Sequence, residues 1–397
     1  MSDAVMEAGL LEKTKKPKSP AAELIVEVAR EHKVSPFRQM REMLGLHFGS
    51  TKLSFDEYYS NGVYSPALNP SQKRQFVGEK GSYKLNCLLS PLKMTLRARS
   101  FISDKILYSA VIDSLGFATT RTQAALSKHR SHGNITTLRN ADDLSAFLRQ
   151  SARYPLFVKP GVGSGSVGSA LITSYEEASD EIIMANGGRA NAASFAEVVA
   201  KDYGAGFLLQ DAVQQHSDLT DVIGQAVGTL RIVTVLAEDN APQVLYALWK
   251  IPSPDAMSDN YWQSGSMIAE LDAASGEILQ CRRGAGPSRE ELLSHPVSGR
   301  AFRGFKIPHW DKVIDITTQA HQIYPNFGVF GWDIALADDG PLIIECNANP
   351  HHMLYQLATG RGIYNDDLAP VLDRTINRSK KRLADLSAEW KEEKRKH

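Results

Sequence analysis

The 397-residue chain has little cysteine, no long apolar run and no excess of either charge, and each lack removes a class of protein. Cys87, Cys281 and Cys346 are too few and too scattered for a disulfide framework or a zinc cluster, so a reducing, cytoplasmic setting is expected. No stretch approaches the roughly 18 apolar residues of a membrane span, and the N-terminus offers no apolar signal segment. No membrane partner is expected. Forty-five basic residues balance 45 acidic ones, so no overall cationic field draws nucleic acid, which is set aside as a partner. What is present is a 43% hydrophobic composition on a chain too long for one core, and two or three soluble domains follow.

Residues 1–20 are polar, carry four lysines and two prolines, and read as a disordered basic arm. Residues 21–99 form an expected N-terminal helical region, from the spacing of Leu24, Val28, Phe37, Met40, Met43 and Leu44 and the helix start at Ser54. Ser103-Asp104 caps a helix through Leu115, a second helix begins near Ala141, and the apolar run 155–159 is a strand. Further strands are expected at 207–210, 230–236, 243–251, 266–271 and 277–279. A helix over 309–323 precedes paired strands at 330–336 and 342–346, turning at Asp338-Asp339-Gly340. Residues 374–397, rich in Lys, Arg and Glu, read as a charged C-terminal helix.

Two segments carry chemistry. Phe157-Val158-Lys159-Pro160 runs into a loop with glycines at 161, 163, 165 and 168, interleaved with Ser164 and Ser166. Such a loop lets backbone N–H groups approach phosphate oxygens, and an ammonium at the end of an apolar strand calls for an anionic partner. No Gly-Lys-Ser/Thr follows, so this is not a Walker loop. The second segment holds Asp333 in Gly331-Trp332-Asp333-Ile334-Ala335, then Glu345 and Asn347 flanking Cys346. In a strand, residues 345 and 347 share a face, and a hairpin would bring Asp333 beside them; three oxygen donors there suit Mg²⁺. Together the segments describe an ATP site.

Those residues, with Gly228 to Thr234, His295-Pro296, Ile307 to Trp310 and the leader-like segment 53–64, resemble the ATP-grasp superfamily, and within it the sugar-transfer-associated branch related to α-L-glutamate ligases. The resemblance implies an α+β fold in which two subdomains grip ATP, over residues 100–373, with a lid subdomain at about 156–212 and a metal and substrate subdomain at about 213–373. It implies that Lys105 and Lys159 contact phosphates, that the 161–168 loop (Gly163, Ser164, Gly165, Ser166) covers them, and that Gln210, Asp211 and Val213 read the adenine. His216 or Asp218 meets the ribose, Arg231 faces the phosphates, and Asp333, Glu345 and Asn347 ligate magnesium. Three departures stand out: Gln210 replaces a common glutamate, Lys250 replaces an arginine, and Gly331 sits where some ligases have an arginine.

The activity so implied is ATP- and Mg²⁺-dependent joining of a carboxylate to an amine through an acyl phosphate, in polysaccharide or secondary-metabolite biosynthesis. Arg231 and Lys159 are the expected catalytic cations. Substrate contacts are expected after Asn347, from Asn349, His351, His352, Gln356 and Arg361. A small-molecule kinase and a non-catalytic nucleotide-binding scaffold are the alternatives.

Overall fold

The computed structural model of the chain describes residues 21–161, 167–204, 206–236, 239–254 and 256–396. Residues 21–102 are largely helical: α1 (Ala21–Glu31), α2 (Pro36–Phe48), α3 (Phe55–Ser60), α4 (Pro70–Lys73), α5 (Glu79–Leu89) and α6 (Leu92–Ile102). Sequence signals fix the starts. Ser35 caps α2 with Pro36 in its first turn, while Ser54 with Glu57, and Asn69 with Gln72, form capping boxes at α3 and α4. Val28, Met43, Leu53, Tyr58, Tyr59 and Phe76 fill the core between them. Glu42 is half-buried beside them, and it accepts from Lys73 Nζ (2.6 Å), Tyr58 Oη (2.8 Å) and Arg38 Nε (2.9 Å).

Among the described residues, fourteen strands form two seven-stranded sheets. After α7 (Lys105–Ser114), the first sheet assembles β1 (Thr122–Leu126), β2 (Thr136–Leu138), β3 (Leu156–Pro160), β4 (Ala170–Glu176), β5 (Glu181–Met184), β6 (Arg189–Asn191) and β7 (Phe207–Asp211) in the order β2-β1-β7-β3-β4-β5-β6. Its even-numbered β3 residues, Leu156 and Val158, join Leu209, Ile172 and Ala170 under α8 (Ala141–Gln150) and α9 (Ala192–Tyr203). Strand alternation then turns Phe157 and Lys159 to the opposite face. Strands β2, β4, β5 and β6 had no clear sequence signal.

After α10 (Ser217–Ile223), the second sheet contains β8 (Leu230–Leu236), β9 (Pro242–Ile251), β10 (Met267–Leu271), β11 (Ile278–Arg283), β12 (Glu290–Leu292), β13 (Val329–Ala337) and β14 (Gly340–Asn347), ordered β12-β11-β10-β9-β8-β13-β14. One face, with Leu230, Ile232, Trp249, Ala269 and Trp332, packs on α11 (Trp310–Gln322), α6 and α7. The other face is divided. Val233, Tyr246, Leu248, Ile268 and Val329 are covered by α5, α12 (Met353–Thr359) and α13 (Ala369–Lys396). Arg231, Lys250, Asp333 and Glu345, further along the same face, look into a cavity instead. The charged C-terminal helix is longer than expected: its first turns, with Leu372, Thr375, Ile376 and Ser379, are buried, and only the later ones are solvated. No helix among the described residues is long and apolar enough to cross a membrane.

Candidate active site

Register alone brings the acids and bases of the second sheet together. On neighbouring strands, Asp333 lies opposite Arg231 on one side and Glu345 on the other, and Gly331 lies opposite Asn347. Directly opposed residues share a face, so Asp333, Glu345 and Asn347 project together. Arg231 grips Asp333 with a fork, Nε to Oδ1 at 2.5 Å and Nη2 to Oδ2 at 3.0 Å. Lys250 Nζ lies 3.3 Å from Asp333 Oδ2 and 3.0 Å from Asp259 Oδ2. Asp259 in turn accepts from the backbone N–H and hydroxyl of Thr229. The chain Arg231–Asp333–Lys250–Asp259 is about nine-tenths buried, each side chain being 10–12% exposed.

Burial would make Asp333 a weaker acid, but Arg231 and Lys250 outweigh it and hold its carboxyl below the usual range. Burial opposes the charge on Arg231 and Lys250 as well; Asp333 holds Arg231 above its usual range, and Asp259 with Asp333 does so for Lys250. The four behave as one neutral unit of two cations and two anions. Gly331, where an arginine stands in some ligases, could not accept a side chain here: a Cβ would lie 2.8 Å from Pro350 Cβ.

The wall across the cavity comes from the first sheet. Phe157 and Lys159 of β3, Gln210 of β7, and Val167, Ser169 and Leu171 contribute to it. Lys159 has no salt-bridge partner within 4 Å among the described residues, and burial, then repulsion from Lys105, pushes its ammonium down to about 8. Lys105 begins α7, which Asp104 caps, and reaches 3.8 Å from Glu345 Oε1. Between the walls lies a cavity of about 580 Å³.

Most sequence-predicted site residues meet there. Lys105, Lys159, Gln210, Asp211, Val213, Arg231, Asp333, Glu345, Asn347 and Asn349 all line the cavity, as does His351. Gly163, Ser164, Gly165 and Ser166 lie outside the described residues. Gln210 turns its amide nitrogen to Thr122 Oγ1 (3.1 Å), and the Asp211 carboxylate is taken by Gln123 and Arg153, which leaves Asp211 its backbone for a ligand. Asn349 Oδ1 accepts from Arg99 Nη1 (2.8 Å).

Four of the expected residues lie outside the cavity lining. Asp218 is not part of the lining; it sits in the first turn of α10 and donates its N–H to His216 Nδ1. His352 is fully buried between Asn86 Oδ1 (2.9 Å from Nε2) and Tyr246 Oη (3.0 Å from Nδ1). Gln356, also fully buried, accepts from Val77 N–H (2.8 Å) and donates to Val77 O (2.9 Å) and Asn61 Oδ1 (3.2 Å). Arg361 pairs with Asp367 (2.6 Å) at the surface. For His352 and Gln356 the reason is helical: α12 turns the chain inward after Asn349, so these two residues, close in sequence to the site, become a clamp on the N-terminal helices.

The sequence matched Asp259-Asn260 to an Asp-Asn pair of the resembled branch but gave the loop after β9 no role in the site. Ser258, Asp259, Asn260, Tyr261 and Trp262 line the cavity, and Asp259-Asn260 beside the odd Lys250 was the available signal. Glu79, at the start of α5, lines it too, and nothing local in the sequence marks it. Among the described residues no three His, Cys, Asp or Glu side chains form a metal set; the third oxygen donor is the amide of Asn347.

The family profile described as sugar-transfer associated ATP-grasp matches residues 92–370. No curated protein sequence matches the chain. Among solved structures, D-alanine–D-alanine ligase from Helicobacter pylori is similar at 13% identity and a TM-score of 0.40, over 75% of this chain and 69% of that one. The ligase of the same name from Bacillus anthracis is similar at 15% identity and a TM-score of 0.38, over 71% and 69%. The biotin carboxylase domain of 2-oxoglutarate carboxylase from Hydrogenobacter thermophilus, in complex with MgADP, ADP and bicarbonate, is similar at 11% identity and 0.36, over 66% of this chain; the match spans 46% of that one.

Proposed function

This chain belongs to the sugar-transfer associated ATP-grasp family, and from that premise we propose that it is an ATP- and Mg²⁺-dependent carboxylate–amine ligase. The observation that carries the reading is the pairing of the two cavity walls: a neutral ion-pair floor bearing Asp333, Glu345 and Asn347, opposite the partnerless ammonium of Lys159. The donor set fits a hard divalent cation in kind, two carboxylates and an amide on one sheet face. Asn347 Nδ2 is buried without a hydrogen-bond partner among the described residues, so that amide is not committed to holding the fold. Asp333, Glu345 and Asn347 would hold Mg²⁺, which when bound supplies charge neutralisation to transferring phosphoryl oxygens.

In the proposed reaction the substrate carboxylate oxygen takes the γ-phosphoryl group of ATP and ADP leaves. The amine nitrogen then attacks the carbonyl carbon, the bond to phosphate breaks, and the amine gives up a proton as the amide forms. Lys159 and Lys105 offer positive charge where the anionic groups must meet, and Arg231 keeps Asp333 ionised and fixed in direction. Apolar lining by Phe157, Leu171, Met257 and Leu354 keeps water from the activated acyl group. Phosphate release from ATP tests the reading. A ligase liberates ADP and phosphate only when an acid and an amine are both supplied, whereas a stable phosphorylated product from a single substrate would replace this reading with a kinase.

A further inference from the structure

Arg282 is the penultimate residue of β11 and Arg289 precedes β12, on either side of the turn at 284–288. Lys250 faces Ile268 across β9 and β10, and Ile268 faces Arg282 across β10 and β11, so Arg282 lies on the face of the sheet that carries the site. Ile268 is fully buried in the cluster that contains Met353, Tyr355 and Leu357 of α12. Packed apolar atoms therefore separate the Arg282 guanidinium from the cavity, whose lining includes neither arginine.

Among the described residues neither arginine makes an ion pair, although Glu291 and Glu270 offset part of the charge on Arg282 from a distance. Among the described residues, Arg282 makes no ion pair and its Nη1 is buried without a hydrogen-bond partner. Arg289 makes one long bond, Nη1 to Asn61 O at 3.4 Å. Nearby acids are engaged elsewhere: Glu290 with Arg283, Glu270 with Gln280, and Asp367 with Arg361. Glu291, opposite Arg282 in register, is exposed and forms no ion pair with it. Burial, then repulsion from Arg289, pushes Arg282 below the usual arginine range, although a guanidinium stays charged.

The backbone makes room for both side chains. Gly360 and Gly62 adopt left-handed conformations, and a Cβ would lie 2.6 Å from Arg282 Nη1 at the first and 2.9 Å from Arg289 Nη2 at the second. Two like charges thus lie against bare backbone where three segments meet: the turn after α3, the β11–β12 connection and the end of α12. A buried N–H without an acceptor is unfavourable, and a planar guanidinium fork suits an oxyanion better than any other partner.

We propose that Arg282 and Arg289 form an oxyanion subsite at the seam between the N-terminal helices and the second sheet, taking a phosphate or carboxylate group. The ligand is either free phosphate or the anionic end of a larger molecule.

The test uses the full chain saturated with MgADP, so that the nucleotide cavity is filled. Melting temperature is followed in inorganic phosphate, in succinate and in chloride at matched ionic strength. The wild type should rise by about 2–4 °C in phosphate or succinate and not in chloride. Response to phosphate alone assigns a tetrahedral anion, and response to succinate alone a carboxylate; response to neither overturns the proposal. Arg282→Gln should abolish the rise and, in chloride, melt at or above the wild type, because it removes the unpaired charge. The two stability curves then cross as anion is added. A variant that melts below the wild type in both media, or one that keeps the full anion response, also overturns it. Arg289→Gln, whose side chain makes only the one long bond, carries the same comparison if Arg282→Gln does not fold.

Discussion

The two walls of the cavity handle charge in opposite ways. On the second sheet, Arg231, Asp333, Lys250 and Asp259 neutralise one another within hydrogen-bonding distance, and the fold holds them whether or not a ligand arrives. On the first sheet, Lys159 is left without a counter-ion and burial has already weakened its hold on its proton. A paired charge contributes order and a lone one contributes affinity. The first wall should therefore reveal itself in stability measurements, and the second in binding.

The sharpest way to break that contrast is Asp333→Asn. It leaves Arg231 buried beside a neutral amide, and removing one partner of a buried pair costs about 3–5 kcal/mol. Urea unfolding should show this loss, whereas Lys159→Met should unfold no earlier than the wild type; equal effects would erase the distinction. Glu345→Gln comes next. Glu345 is less buried than Asp333, with a 29% exposed side chain, so the fold should survive while turnover falls roughly 10²-fold and nucleotide affinity much less. Measuring melting temperature and phosphate release on one preparation separates the two.

Gln356→Ala has a smaller expected effect, a loss of about 1–3 kcal/mol for leaving the Val77 backbone groups unpaired. Nucleotide affinity should barely change; a variant that loses affinity while keeping its stability would return Gln356 to the site. The smallest effect is in pH. Lysine in an unfolded chain titrates near 10.4, above the value of about 8 for Lys159. Between the two the unfolded state binds more protons, so this group makes stability rise with pH across that window. Nucleotide affinity should fall across the same window as the ammonium is lost. Lys159→Met should flatten both slopes, and unchanged slopes would place the titrating group elsewhere.

The same contrast explains what could be read from sequence. Asp333, Glu345 and Asn347 were legible because a two-residue period and a hairpin turn at 338–340 fix which side chains share a face. Lys159 was legible because an ammonium at the end of an apolar run demands a reason. Asp259 and Lys250 were only half legible, since their pairing depends on which strand neighbours which. Glu79 and the clamp made by His352 and Gln356 were illegible, because each depends on a helix docking from far along the chain. The face a residue presents is local information, and the partner it finds is not.

The bonds between Gln356 and Val77 join groups 279 positions apart in sequence. During synthesis the helix-rich beginning leaves the ribosome first, and at about 5–20 residues per second its partner follows roughly 15–55 s later. For that interval the faces of α5 that will meet α12 and α13 have nothing native to pack against. A nascent chain halted before residue 356 would lack α13 and most of α12, and with them part of the cover over Leu85 and Leu89. Completion of the clamp is thus a late event in the birth of the molecule.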